Sequence, residues 1–298
     1  MNVGFIGLGT MGAPMARNIL AKGHRLIVFD VAPQAVASLV ATGATSAATP
    51  AAVAAASEVV ITMLPDSPDV LRVALGDNGI VEGIGKGAIY IDMSTIDPGT
   101  TRKVGAAIAA KGASMIDCPV GKTADAAVNG TLTLMAGGDA AVIARCREIL
   151  DCMGTDFFHC GELGAGETVK LINNLLATAI GEASVEALVT GVKSGITLPT
   201  MLSVFKTTMA WSSQLAVGMP KRSLAGDFVP GFMMKLAHKD CRLALQMVKD
   251  LDVSAPVGRA ALASLEEGIA GGLADDDVGA LLKLRETAAG VTVRLPRA

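Results

Sequence analysis

The chain has 298 residues, 51% hydrophobic and 18% charged, and its 25 basic and 28 acidic side chains give a net charge of −3. That apolar content excludes a disordered chain, and the lack of a basic excess argues against a nucleic-acid surface. Five cysteines and three histidines show no CxxC, HExxH or other metal spacing, so no metal is expected.

In chain order, β-rich runs at 3–6, 25–29, 59–63, 89–92 and 114–117 alternate with helical stretches at 11–22, 33–41, 50–56, 67–75 and 98–111. A further strand at 131–136 and a helix at 139–152 complete the pattern, which predicts a doubly wound parallel sheet with crossover helices. From 167 to 193 nearly every residue favours a helix and apolar positions fall on more than one face, which predicts a buried helix. Helices at 199–208, 211–223, 233–251, 256–270 and 277–288 follow, separated by Gly, Pro and Asp. The expected plan is α/β: a Rossmann domain over 1–162 and an all-helical substrate and oligomerisation domain over 163–298, which includes a linking helix at 164–194. The longest uncharged run, 31–57, is broken by Pro33, Gly43 and Pro50 and does not read as a membrane span. An odd cysteine count without a signal peptide points to a reducing cytoplasm.

Gly7, Gly9 and Gly12 form G-x-G-x-x-G between the first strand and the first helix. Such glycines allow a tight turn, close approach of a pyrophosphate, and close helix–strand packing, while the helix N-terminus favours the anion. Asp30 closes the second strand, where a carboxylate accepts from ribose hydroxyls and repels a 2′-phosphate, so NAD (as NADH) is preferred over NADP.

Lys170, Asn173 and Asn174 are spaced i, i+3 and i+4, which puts them on one side of a helix that is otherwise apolar around Leu171, Ile172, Leu175 and Leu176. A lysine there is costly unless it is paired or functional. Hydride delivery to an aldehyde leaves negative charge on oxygen, and a nearby ammonium stabilises that charge and donates its proton.

With Gly4–Gly12 (GFIGLGTMG), Asp92-Met93-Ser94-Thr95, Gly164–Asn174 (GAGETVKLINN) and Lys239-Asp240 in this order, the chain resembles the β-hydroxyacid dehydrogenase family over essentially its whole length. The resemblance implies that Thr10 and Met11 contact the pyrophosphate, Asp30 the ribose, Leu64 and Pro65 the adenosine side, and Thr95 the nicotinamide ribose. It further implies Lys170 as the catalytic lysine, Lys239 as a residue closing over the cofactor, and Ser94, Asn173 and Asn174 on the substrate. A homodimer or homotetramer and a small anionic aldehyde or hydroxy acid are implied partners, with neither nucleic acid nor membrane.

Where most of the family has Ser-Gly-Gly, this chain has Gly121-Lys122-Thr123. A cation and a hydroxyl in place of glycines suit a sulfonate with three acceptor oxygens, although lysine lacks the bidentate fork of the arginine in the sulfonate-handling subgroup. Ala177 stands where that subgroup has serine. The same Gly-Lys-Thr is no P-loop, because position 116 is Ile116 and not glycine. An imine reductase is disfavoured by Lys170, and a non-catalytic module by Lys170, Asn174 and Lys239 together. Trp211, the sole tryptophan, reads either as core or as part of a substrate lid.

Overall fold

A computed structural model describes residues 1–295 as two compact units, one over Met1–Lys170 and one from Leu171 onward. In the first, the strands are β1 (Asn2–Ile6), β2 (Arg25–Phe29), β3 (Thr45–Ser46), β4 (Val59–Thr62), β5 (Ile89–Asp92), β6 (Ser114–Asp117), β7 (Val120–Gly121), β8 (Leu132–Gly137) and β9 (Gly154–Gly161). They form one sheet in the order β3-β2-β1-β4-β5-β6-β8-β7, and β9 pairs with β8. From β3 to β6 all pairing is parallel. β8 then enters antiparallel to β6 and β7, so the sheet is parallel-dominated rather than wholly parallel.

Alternating side chains of these strands feed two cores. Val3, Phe5, Ile89 and Ile91 join the layer that holds Met15 and Ile19. Ile6, Val60 and Tyr90 join the layer that holds Val70, Val104 and Ile108. Burial on both faces is why these strands read as continuous apolar runs. Two of the helices start where an aspartate caps them: Asp97 precedes Pro98 and accepts from Thr100 N–H at 2.6 Å, and Asp139 accepts from Ala141 N–H at 2.7 Å.

Two short strands and the eight-residue β9 were not expected. β9 (GTDFFHCG) has adjacent phenylalanines instead of alternation, and its parallel register with β8 sets its conformation.

From Leu171 onward the fold is helical. One cluster gathers Val185, Leu188, Met201, Leu215, Leu224 and Leu282, with Trp211 packed against it. A second holds Met234, Cys241, Leu265 and Leu281. Trp211 is thus a half-buried part of this core. The helix expected over 211–223 is broken into a π-helical turn, Gln214–Gly218, the short helix Met219–Lys221 and a 3-10 turn, Ser223–Ala225. Gly218 and Pro220 interrupt the regular ladder there.

The long helix Ala165–Lys193 is not the buried rod its composition predicted. Val169, Ile172 and Leu176 are 41%, 52% and 60% exposed, so apolar residues on several faces do not guarantee cover within one chain. By length and composition alone it is apolar enough to cross a membrane.

Candidate active site

The strand order reverses between β1 and β4, and open α/β sheets bind ligands beyond the carboxyl ends of their strands at such a point. Gly7 follows β1 with φ +95°, and a Cβ on it would lie 2.3 Å from the Met63 carbonyl oxygen, so only glycine fits. A Cβ on Gly12 would meet the Gly7 carbonyl oxygen at 1.9 Å. Gly9, by contrast, faces open space, and Thr10 is exposed. The helix Gly12–Ala21 has no side-chain cap and no acid in its first turn, which leaves its N-terminal N–H groups to an anion.

Asp30 stands beside this turn. Its Oδ2 accepts Leu8 N–H at 2.6 Å and its Oδ1 accepts Ala32 N–H at 2.7 Å, which fixes the carboxylate at the mouth of the glycine loop. An open glycine, uncapped helix N–H groups and a fixed carboxylate fit the pyrophosphate and ribose of a dinucleotide.

A buried polar chain ties the neighbouring loops together. Thr62 and Asp92, register partners on β4 and β5, are joined by a Thr62 Oγ1–Asp92 Oδ1 bond of 2.8 Å. Tyr90 Oη lies 2.8 Å from the same threonine hydroxyl. Ser94 Oγ donates to Asp92 Oδ1 at 2.6 Å and accepts Leu64 N–H at 2.9 Å. Burial pushes the Asp92 carboxyl above its ordinary range, and hydrogen bonds from Ser94 and Thr62 pull against that. Ser94 therefore departs from the substrate role expected of it: it is fully buried, and its hydroxyl is committed to Asp92 and Leu64. Leu64 and Thr95 are half-buried and Pro65 is exposed, in the loops this chain holds.

Lys122 also departs from expectation. Its ammonium donates to Asp156 Oδ2 at 2.6 Å and to the Thr131 carbonyl at 2.7 Å, so the charge expected to face a substrate anion is already paired. That hydrogen bond holds the Asp156 carboxyl below its usual range. Lys122 has φ +76°, a conformation natural to the glycine that the resemblance places there and strained for lysine. Gly121 is half-buried, and the exposed Thr123 precedes the helix Ala124–Asn129 without capping it.

In the helical unit, two distant expected residues meet on one acid. Asn174 Nδ2 donates to Asp240 Oδ2 at 2.6 Å, and Lys239 Nζ lies 3.0 Å from Asp240 Oδ1. Asn173, exposed, donates to Asn174 Oδ1 at 3.0 Å. Lys170 is half-buried on the long helix, one turn before Asn174. Cys118 is buried, which pushes its thiol well up and leaves it without nucleophilic character.

The comparisons with known proteins agree with this geometry. Residues 2–161 match the NAD binding domain of 6-phosphogluconate dehydrogenase, and residues 164–285 match the NAD-binding domain of NADP-dependent 3-hydroxyisobutyrate dehydrogenase. The chain belongs to the β-hydroxyacid dehydrogenase family. It is an NAD-dependent oxidoreductase acting on CH–OH groups. It is 42% identical to the 3-sulfolactaldehyde reductase of Escherichia coli K12, covering 98% of both chains. To the 2-(hydroxymethyl)glutarate dehydrogenase of Eubacterium barkeri it is 38% identical, over 98% of this chain and 97% of that one. Among solved structures, Mycobacterium tuberculosis 3-hydroxyisobutyrate dehydrogenase with L-serine superposes with a TM-score of 0.89 at 31% identity, over 95% of this chain and 98% of that one.

Asp92, Asp117, Glu167 and Asp240 were given no role from sequence. The available signal was a carboxylate at the last position of an apolar strand, which holds for Asp92 and Asp117. Such a group is buried and must find donors.

Proposed function

We propose that this dehydrogenase reduces a small anionic aldehyde with NADH, the best candidate being 3-sulfolactaldehyde, reduced to 2,3-dihydroxypropane-1-sulfonate. The observation carrying the reaction type is a half-buried lysine on a helical stretch apolar at Leu171, Ile172, Leu175 and Leu176, in a chain whose glycine turn and Asp30 fit a dinucleotide. The relative at 42% identity supports the sulfonated substrate.

Reduced nicotinamide, when bound, supplies the hydride. Gly7, Gly9, Thr10, Met11 and Gly12 hold the pyrophosphate, Asp30 the adenosine ribose, and Leu64, Pro65 and Thr95 line the rest, with Lys239 closing over it. Asp30 disfavours a 2′-phosphate, which is the reason for NADH over NADPH. Lys170 stabilises the negative charge that develops on the aldehyde oxygen and then transfers its proton to it. In the reverse direction the neutral amine takes the alcohol proton. Asn173 and Asn174 offer amides to the substrate, and Gly121 and Thr123 offer donors to its anionic end.

A second reading, a carboxylated semialdehyde, is favoured by the Lys122–Asp156 pair, which removes the extra cation that a sulfonate would use. Catalytic efficiency on sulfonated and carboxylated aldehydes of matched length separates the two. The sulfonate reading expects at least a tenfold preference for the sulfonate, and a tenfold preference for the carboxylate overturns it. In the same assay Lys170→Ala loses about three orders of magnitude in kcat while still binding NADH. Turnover near wild type in that variant would remove the lysine mechanism.

A further inference from the structure

Two buried carboxylates with no part in the chemistry above hold the first turn of the long helix. Asp117, the last residue of β6, is fully buried; its Oδ1 accepts Gly164 N–H at 2.7 Å and its Oδ2 accepts Glu167 N–H at 2.8 Å. Glu167 lies on that turn, is equally buried, and its Oε2 accepts Ile96 N–H at 3.1 Å from the loop after β5. One acid thus reaches from the sheet to the helix and the other from the helix back to a sheet loop.

The backbone is shaped for this approach. A Cβ on Gly166 would lie 2.1 Å from the Met135 carbonyl oxygen and 2.8 Å from Asp117 Oδ2. A Cβ on Gly137, the register partner of Asp117 on β8, would lie 2.5 Å from Asp117 Oδ1. The helix therefore begins in backbone contact with the sheet. A carboxylate there meets N–H groups that have no partner within the helix, at the favourable end of its dipole. Burial raises the Asp117 carboxyl, and those N–H groups oppose the rise.

Lys170 follows Glu167 by three residues, so both lie on neighbouring positions of one helix face. A helix is stiff over one turn, and a shift of its first residues moves Lys170 with them. We infer that Asp117 and Glu167 are positioning residues that set the location of the Lys170 ammonium by locking the first turn of its helix to the ends of β5, β6 and β8. This rests on the reading of Lys170 as the proton donor. Displacement of a reacting group by about 1 Å costs on the order of 100-fold in rate.

The test is steady-state kinetics and NADH titration on Asp117→Asn in two backgrounds, wild type and Lys170→Ala. Asparagine turns one accepting oxygen into a donor that faces an N–H. The expected result is a fall in kcat of roughly 30- to 100-fold with NADH affinity within threefold. In the Lys170→Ala background the residual rate should not fall further, because residues acting as one unit are not additive. An equal loss in both backgrounds, or none in wild type, overturns the inference. If Asp117→Asn does not fold, Glu167 carries the test. Glu167→Ala, which removes the acceptor for Ile96 N–H, should lose at least fivefold more kcat than Glu167→Gln, which keeps one; equal losses overturn the inference. Failure of the lysine reading looks different: Lys170→Ala itself would then retain its turnover.

Discussion

In the N-terminal unit the buried acids Asp92, Asp117 and Glu167 accept from backbone N–H groups and hydroxyls. In the helical unit Glu182, Asp240 and Glu286 each face a cation: Arg285, Lys239 and Arg294. Asp277 accepts only from Gly231, Phe232 and Gly279 N–H among the described contacts, and Glu286 accepts Val293 N–H besides its arginine. The difference separates two uses of a carboxylate. Bound to backbone, it fixes where a loop or helix end lies, which is what a hydride-transfer site requires of its surroundings. Bound to a guanidinium, as Glu182 is to Arg285, it crosslinks side chains of separate helices and stabilises their packing.

This contrast predicts that damage in the helical unit appears first as lost stability. Arg285 joins Glu182 on the long helix to Glu267 and Ser264 on the helix Pro256–Ala270. Arg285→Ala leaves Glu182, 7% exposed, without its cation. After discounting for the partial exposure of the arginine, the loss is about 2 kcal/mol in urea unfolding. An unchanged midpoint would mean that the crosslink is idle.

A smaller effect is expected at Lys122, whose ion pair with Asp156 is solvent-exposed. Lys122→Gly relieves the left-handed strain and discards the pair, so the thermal midpoint should move by no more than about 2 °C. The KM for a sulfonated aldehyde should change less than tenfold. A tenfold rise would return Lys122 to the anion pocket and sharpen the sulfonate reading.

The smallest effect concerns pH. Asp92 has a folded-state pKa above its unfolded value, so the native state holds the proton more tightly. Its contribution is therefore favourable in acid and is lost as pH rises from the ordinary carboxylate value through the raised one. Asp92→Asn removes this dependence, so the stability of wild type relative to the variant should decline across that window. Parallel stability–pH curves for the two proteins would contradict it.

Much of the N-terminal unit was legible because its signals are local. Strand–helix alternation, the Asp97 and Asp139 caps, and the glycine turn each follow from a few neighbouring residues. The positions of Lys170 and Asn174 on one helix followed from spacing alone. Other features depend on partners far along the chain. Ser94 is occupied by Leu64, thirty residues away, and Lys122 by Asp156, thirty-four away. The first unit runs to Lys170, and within its last stretch Asp117 and Ile96 hold the start of the long helix.

Periodicity and motif spacing alone determined a dinucleotide turn, an acid at the end of the second strand, and a lysine with two amides on one helical face, because those patterns are written in neighbouring positions. Only the tertiary structure decided which polar groups remain available. A buried donor or acceptor is bonded by whatever the fold brings to it, and the distance in sequence between Asp117 and Gly164, or between Asn174 and Asp240, carries no mark of that meeting.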